Sequence, residues 1–128
     1  MAFQYSVAVR NAALDAKETA IGASAVLKIF SGAEPANCAA ADPSGLLCTI
    51  TLPSDWMAAA SSGSKAKAGT WSAAASGTGT ALSWRIYASD GTTCGIQGNT
   101  TDMTFDNPVI AVGQTVTVNT FTLTAGNA

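Results

Sequence analysis

The chain has 128 residues, which is the size of one ordinary domain, and we expect a single domain over residues 1–128. Its formal net charge is −2 and only 11% of its residues are charged, so it lacks the basic surface that nucleic acids and anionic membranes require. No apolar run approaches the roughly 20 residues of a membrane span. Residues 1–5 also lack the basic and apolar regions of a signal peptide.

The hydrophobic fraction of 48% overstates the core, because 26 residues are Ala and only 24 are Val, Ile, Leu or Phe. Ala, Gly, Ser and Thr together make up more than half of the chain. Such side chains pack closely, but each buries little apolar area at roughly 25 cal/mol per Å². We therefore expect a folded domain with a thin core, and we expect neighbouring chains to cover part of its weakly charged surface.

The first predicted element is a helix over residues 6–22, with Ser6 as its N-cap and Gly22 ending it in the left-handed conformation. One narrow apolar stripe contains Val7, Leu14 and Ile21. A second face is made of small apolar residues: Val9, Ala12, Ala13, Ala16 and Ala20.

Arg10 and Lys17 lie beside the apolar stripe and are seven residues apart, so they share one side of the predicted helix. One interpretation is an amphipathic helix packed on a sheet, with both basic side chains in solvent. The other is a helix that docks on a neighbouring subunit through those two side chains. Asp15 and Glu18 are the one acidic pair and share a helix surface.

After Gly22 the apolar period changes to two, which predicts strands. The predicted strands cover residues 25–30, 46–52, 70–76, 80–88, 93–97, about 103–105, and 115–124. The low-complexity segment 58–69, which contains Lys65 and Lys67, is predicted to be a flexible loop. We also expect a bulge near Asn119–Thr120, because the apolar alternation changes phase there.

Asp90-Gly91 between two alternating runs predicts a tight hairpin with positive φ at both central residues. Its second strand is predicted to turn Cys94 and Ile96 inward. Seven or eight short strands with turns every eight to twelve residues are typical of an antiparallel β-sandwich. Of the sandwich folds we favour a jelly roll. The N-terminal helix is expected either to cover one edge of it or to reach outward.

The chain contains three cysteines, Cys38, Cys48 and Cys94, and no histidine. An odd number cannot form a complete disulfide framework within one chain, and none of the three lies in a C-x-x-C pair. We expect three reduced structural thiols. A Cys38–Cys48 bridge is the main alternative.

No catalytic, metal-binding or cofactor-binding residue is predicted, and no small-molecule substrate is expected. Without histidine, Ser-His-Asp and Cys-His systems and His-containing zinc sites are excluded. The S-x-x-K spacing at residues 62–65 lacks its companion motifs and is attributed to chance. Residues 99–101 form a glycosylation triplet, which has no meaning without a secretory route.

Four segments together resemble a family of small proteins encoded by tailed bacteriophages and prophages. These segments are residues 5–12 (YSVAVRNA), 52–57 (LPSDWM), 85–94 (RIYASDGTTC) and 113–118 (GQTVTV). The resemblance extends over the whole chain. Members of that family are regarded as virion structural proteins, so the resemblance implies a role in assembly and brings no catalytic residues with it.

Within a virion, a β-sandwich of this size most resembles a capsid decoration, or cement, protein that stabilises the lattice of the major capsid protein. The expected location is the virion, assembled in the bacterial cytoplasm, with the major capsid protein or other virion proteins as partners and with self-association. Arg10, Lys17, Trp56 and Met57 are the candidate contact residues, since interface cores favour aromatic, Met and Arg side chains. The alternative for Trp56 is a core side chain beside Leu52.

Two other functions stay open at this point. One is a structural component of the tail or of the head–tail connector. The other is a carbohydrate-binding adhesin module in which exposed tryptophans stack on sugars. Trp56 and Trp71 are the candidates for that stacking, since the alternation places Trp84 in the core.

Overall fold

The computed structural model describes residues 3–125, so residues 1–2 and 126–128 of the predicted domain lie outside the described range. The helix α1 spans Val7–Ile21. The strands are β1 Val26–Phe30, β2 Leu46–Thr51, β3 Ser64–Ala66, β4 Ser72–Ala74, β5 Gly79–Thr80, β6 Ser83–Tyr87, β7 Cys94–Asn99, β8 Met103–Phe105, β9 Val109–Ile110 and β10 Thr115–Thr124.

The strands form three antiparallel sheets. The first has the order β2-β1-β6-β7, and the second has the order β3-β10-β4 with β8 also paired to β10. A two-stranded ribbon, β5-β9, completes the described part of the fold. The predicted mainly β, antiparallel sandwich with one N-terminal helix is confirmed. Its finer assignment to a jelly roll stays a prediction.

The helix begins and ends where the sequence predicts. The Ser6 side chain accepts a hydrogen bond from the backbone N–H of Val9 at 3.2 Å, as an N-cap does. Gly22 donates its N–H to the carbonyl of Glu18 and has φ 99° and ψ 173°. Its φ is therefore positive as predicted, but its ψ is extended, so the chain leaves the helix directly toward β1.

The core lies between the inner faces of the two larger sheets. Leu27, Ile50 and Ile86 of the first sheet and Val116 and Val118 of the second belong to one buried cluster. A chain of aromatic rings runs through it: Trp84 and Trp71 pack against Phe121 with ring centroids 5.1 and 5.7 Å apart, and Trp56 follows at 6.1 Å from Trp71. Because small residues dominate the composition, these few large rings supply much of the apolar burial.

The predicted loop at residues 58–69 is wrong, because it contains β3, which pairs with the end of β10. Lys65 at the centre of β3 is only 2% exposed. In β2 the alternation of the apolar residues Leu46, Cys48 and Ile50 would place all three on one buried face, but Leu46 leaves that face. The β1–β2 register shifts between Ile29 and Phe30, so that Leu47 is buried and Leu46 is exposed. The bulge predicted in β10 is confirmed by a register shift between Val118 and Thr120.

The predicted β6–β7 hairpin is confirmed, but its turn differs from the prediction. Of its two central residues, Gly91 alone has a positive φ, at 72°. The Asp90 carboxylate instead accepts hydrogen bonds from the backbone N–H groups of Thr92 and Thr93, which closes a longer turn. A register shift follows between Ile86 and Tyr87, and it places Cys94 opposite Tyr87. The prediction that Cys94 faces the core is therefore wrong.

Candidate partner interface

Helix α1 contacts the sandwich through a face that is mostly polar. Asn11, Leu14, Asp15 and Glu18 follow the i, i+3, i+4, i+7 spacing of a single helix face. Leu14 is the fully buried residue of this face. The Asn11 side chain accepts a hydrogen bond from the N–H of Gly63, and the Asp15 carboxylate accepts one from Ala60.

Lys65 is the centre of this attachment. Its Nζ lies 2.6 Å from Asp15 Oδ1 and 2.9 Å from Glu18 Oε1, and it also donates to the carbonyl of Ala58. Burial lowers the pKa of Lys65, but the hydrogen bonds and charges of Asp15 and Glu18 raise it by more, so the net shift is upward. The hydrogen bond from Lys65 lowers the pKa of Asp15, and the N–H of Ala60 adds to that effect. The sequence places Asp15 and Glu18 on one helix surface but gives no signal for their partner, because Lys65 lies in a low-complexity segment.

Because the polar face points inward, the small apolar face of the helix points to solvent. Val9, Ala12, Ala13, Ala16 and Ala20 are all exposed. Val7 is 48% exposed, which contradicts its predicted place in the buried stripe with Leu14. Phe3 and Tyr5, just before the helix, are 55% and 45% exposed and pack edge to face on each other. We call this surface, formed by Phe3, Tyr5, Val9 and the exposed alanines, the helix surface.

A groove runs along one side of the helix surface. Near its N-terminal end a cavity of about 450 Å³ is lined by Tyr5, Val9 and the end of β10. Near its C-terminal end a cavity of about 530 Å³ is lined by Ile21, the edge strand β7 and Leu123. Lys17 lines both cavities, so they adjoin along the helix. The groove is mainly apolar with one lysine beside it.

The two basic residues of the candidate interface lie in different environments. Lys17 is exposed at the groove, as predicted for a contact residue. Arg10 is half-buried, and its guanidinium fills the space where a side chain at Gly63 would lie. Its Nε is buried and has no hydrogen-bond partner within residues 3–125. Arg10 therefore lines the groove with a half-buried side chain, whereas the Lys17 side chain that lines it is exposed.

Trp56 and Met57 cannot belong to the candidate interface, because their side chains are only 0% and 1% exposed. The indole N–H of Trp56 donates to the carbonyl of Gly22, which ties the end of the helix to the core. The alternative interpretation of Trp56 as a core side chain is thus confirmed. No helical turn forms at residues 53–57. Instead Met57 pairs with Lys67 through an isolated bridge. The side chains of Trp56 and Met57 are both buried in this arrangement.

The other tryptophans are equally inaccessible. Trp71 is 0% exposed and Trp84 is 1% exposed, and each indole N–H donates to a backbone carbonyl. Stacking on a sugar requires an exposed ring face, which none of the three tryptophans offers. The adhesin hypothesis therefore loses the residues on which it depended.

A second polar cluster lies on the outer face of β6, beneath the segment of residues 31–45, which we call the cover loop. Arg85 is 2% exposed and donates to Asp42, to the carbonyl of Asn37 and twice to the Gln97 side chain. The Tyr87 hydroxyl donates to the same Asp42 carboxylate. These contacts hold the cover loop on the first sheet.

The protonation states and hydrogen bonds of this cluster favour a structural role. Burial raises the pKa of Tyr87, and the hydrogen bond to Asp42 raises it further, so the phenol stays protonated at neutral pH. Arg85 keeps its charge, because Cys94, Asp42 and Tyr87 offset the effect of burial on its pKa. Four hydrogen bonds from Arg85 and one from Tyr87 are directed at protein acceptors, which favours an anchoring role over substrate binding.

The cysteines are free thiols and do not pair as the alternative prediction required. Cys48 is 0% exposed in the core, where its Sγ lies 3.7 Å from the carbonyls of Ala73 and Ala74. Cys38 lies in the cover loop, with its Sγ against that of Cys94. A Cys38–Cys48 bridge is therefore wrong, because the first sheet separates the two residues.

A second group of exposed apolar side chains lies away from the helix. Leu82 is 50% exposed, and Val109 and Val112 are 62% and 66% exposed. Val109 belongs to the β5–β9 ribbon, and the chain turns at Gly113 directly into the first residue of β10. We call these three residues the ribbon surface. It lies at the beginning of β10, whereas the helix surface lies at its end.

Within residues 3–125, no three His, Cys, Asp or Glu side chains come together as a metal site would require. No helix in the same range is long and apolar enough to cross a membrane. A comparison with protein-family models finds no match, and comparisons with curated proteins and with solved structures find no significant match either. The arrangement of exposed and buried side chains is thus the basis for a functional proposal.

Proposed function

We propose that this chain is a structural protein of a tailed-bacteriophage virion, and specifically a capsid decoration protein that binds and stabilises the lattice of the major capsid protein. The observation that carries the proposal is the orientation of α1. The polar residues of the helix make contacts within the domain, whereas Val9 and the alanines are exposed to solvent. Phe3 and Tyr5, just before the helix, are exposed as well. Exposed apolar patches of this kind mark interaction sites on soluble domains.

The groove beside the helix surface favours a protein partner. Small side chains let another backbone approach closely, while Tyr5 and Val9 supply apolar contact area. Lys17 adds a single positive charge, so we expect an acidic residue on the partner to face it. A stable contact of standard size buries roughly 800 Å² on each partner. The helix surface offers the apolar centre of such a contact, with Lys17 at its rim.

The two exposed apolar surfaces also favour a bridging role. β10 has ten residues, and at about 3.3 Å per residue it separates its two ends by roughly 30 Å. The helix surface lies near Thr124 and the ribbon surface precedes Thr115. A domain with one apolar surface at each end contacts two neighbours at once, as a protein that fastens adjacent capsid subunits must. The same arrangement suits a ring-forming connector or tail component, which is the second candidate.

The test is binding of the purified chain to capsid shells of the encoding phage that lack it. We expect the wild-type chain to cosediment with the shells in many copies per particle. Val9→Asp places a charge at the centre of the helix surface, and we expect binding to weaken by about 30-fold. Lys17→Glu should weaken binding less and mainly at low salt, because it removes a rim charge.

Lys67→Glu is the matched control, because the Lys67 ammonium contacts the carbonyl of Gly69 and the Trp71 ring and does not line the groove, so the variant should leave binding unchanged. Circular dichroism of each variant checks that the free domain is folded. Equal binding of all three variants to the shells would overturn the proposed interface. A handful of copies per particle, measured by densitometry, would transfer the assignment to the connector or tail.

A further inference from the structure

Two cysteine side chains meet on the outer face of the first sheet. Cys38 of the cover loop and Cys94 at the start of β7 are 56 positions apart in the chain, yet their Sγ atoms are 2.7 Å apart. A disulfide bond joins sulfur atoms at about 2.05 Å, so a small movement of the two side chains is enough to connect them. Both residues are only partly buried.

The fold positions this pair independently of the sulfur atoms. On the loop side, the carbonyl of Pro35 accepts a hydrogen bond from the Gln97 side chain, and that of Asn37 accepts one from Arg85. On the strand side, the register shift of the hairpin places Cys94 opposite Tyr87 and beneath the cover loop. The residues on each side of the pair are therefore anchored to the first sheet while the thiols are still reduced.

We propose that Cys38 and Cys94 form a reversible oxidation site, at which a low-molecular-weight disulfide such as oxidised glutathione converts the two thiols into one intramolecular disulfide. The Cys38 thiolate attacks one sulfur of oxidised glutathione and releases the first glutathione. Cys94 then loses its proton and attacks Cys38 Sγ, which releases the second glutathione. The two protein thiols are oxidised, and one glutathione disulfide is reduced to two glutathione thiols.

The environment of Cys94 supports this order of steps. The pKa of Cys94 is raised to about 12, mainly by burial and also by the neighbouring Cys38, while the positive charge of Arg85 opposes this shift. Asp42 also disfavours the thiolate, and Tyr87 and Lys17 are the further titratable side chains near Cys94. Cys94 is therefore poor as the first nucleophile in solution. It attacks efficiently only when its target sulfur is already beside it, as in the mixed disulfide at Cys38.

Oxidation at this site closes a covalent loop that contains β2 to β6 and fixes the cover loop over Arg85. A cross-link over that length removes conformational freedom from the unfolded chain. Cys48 takes no part, because it is buried in the core away from both thiols. The odd number of cysteines is thus divided into one oxidisable pair and one permanent core thiol.

The experiment treats the folded full-length chain with oxidised glutathione at pH 8, then unfolds it in urea, blocks the remaining thiols with iodoacetamide and measures the intact mass. We expect the number of alkylated thiols to fall from three to one, with a mass loss of two hydrogen atoms from the bridge. A peptide map should join the peptides of Cys38 and Cys94. The urea midpoint of the oxidised chain should rise, and dithiothreitol should reverse the shift.

Cys48→Ala is the matched control and should still form the bridge. Cys94→Ser should stop at the mixed disulfide and retain one glutathione on Cys38. The proposal is overturned if the wild-type chain keeps three alkylatable thiols after equilibration. It is also overturned if Cys38→Ser loses two hydrogen atoms as readily as the wild type, because the bond would then lie elsewhere.

Discussion

Two buried cations attach peripheral segments to the sandwich, and they use different partners. Lys65 holds helix α1 through two carboxylates, Asp15 and Glu18. Arg85 holds the cover loop through one carboxylate, Asp42, together with the neutral acceptors of Gln97 and Asn37. Both side chains are 2% exposed. Each has thus lost nearly all of its contact with water.

The different partners of Lys65 and Arg85 show two ways in which a thin-cored domain attaches its outer segments. The apolar faces are small, so neither the helix nor the cover loop gains much from hydrophobic burial. A buried charge that is fully paired contributes little net stability, but it strongly disfavours any arrangement that leaves the charge unpaired. The helix attachment depends on ionised carboxylates and is therefore sensitive to acid. The cover-loop attachment depends more on neutral hydrogen bonds and is less sensitive.

Lys65→Met should give the largest effect, a loss of about 3 kcal/mol in the free energy of unfolding. The methionine keeps the apolar stem but leaves Asp15 and Glu18 without their cation, so the helix should detach before the sandwich unfolds. Urea unfolding measures the loss, and hydrogen exchange of the helix amides locates it. Lys67→Met, two residues along the same segment, should change stability by less than about 0.5 kcal/mol. Equal effects of the two variants would show that the ion-pair cluster does not hold the helix.

Arg85→Met should cost about 2 kcal/mol, somewhat less than the lysine variant, because water can reach Asp42 and the loop carbonyls once the guanidinium is gone. Hydrogen exchange should accelerate in the cover loop and stay unchanged in α1. Arg85→Lys serves as the control: it keeps the charge but cannot contact Asp42, Asn37 and Gln97 together. It should recover part of the stability. If the helix amides lose protection as well, the two attachments are coupled and the comparison fails.

The sequence predicts the elements better than their roles. Ser6, Gly22 and the β10 bulge could be placed because capping and alternation are local signals. The inward side of the helix could not be predicted, because the residues that contact the sandwich are polar. Their partner, Lys65, belongs to a segment whose composition is typical of a loop. A buried lysine leaves no periodic signal in a sequence. The burial of Arg85 was hidden for the same reason, since the cover loop reaches it from more than 40 positions away.

The candidate interface shows the same limit. The exposure of Lys17 could be predicted, because an exposed cation follows from helix periodicity alone, whereas its role as a contact residue stays a prediction. Trp56 and Met57 were not, because the turn at Pro53 reads equally well as a surface feature and as a lid over the core. The Trp56 hydrogen bond to Gly22 joins two distant segments, and a pattern within one segment cannot reveal it. The exposed Phe3 and Tyr5 lie outside any periodic element, and only Tyr5 belongs to a segment that carries the family resemblance.

Acid should separate the two attachments in the wild-type chain. Because the folded-state pKa of Asp15 is lowered, the stability from this carboxylate is present above its unfolded pKa of about 3.9 and is lost as the pH falls through the folded value. We therefore expect the helix amides to lose protection below about pH 4, before those of the cover loop. Asp15→Asn should remove this pH dependence from the helix.

The control for the acid experiment is Asp90→Asn, because hydrogen bonds from Thr93 and the turn backbone lower the pKa of Asp90 to about 2. This second carboxylate should contribute to acid instability in the hairpin and not in the helix. If Asp90→Asn protects the helix as well as Asp15→Asn does, the acid response is global and not a property of the Lys65 attachment.

The smallest expected effect comes from Asn11→Ala, which removes the neutral member of the helix attachment. The substitution leaves the buried N–H of Gly63 without its acceptor, and we expect a loss of about 1 kcal/mol. Alanine also has the higher helix propensity, which offsets part of that loss. Thr19→Ala on the exposed side of the same helix gives a similar propensity change without a contact to Gly63, since Thr and Asn have similar helix propensities. The difference between the two variants therefore isolates the contact. Because the contact is uncharged, that difference should be the same at pH 7 and at pH 5, where the Lys65 attachment is still intact. A difference that changes between these two pH values would mean that a nearby charged group, and not the neutral hydrogen bond alone, sets the contribution of Asn11.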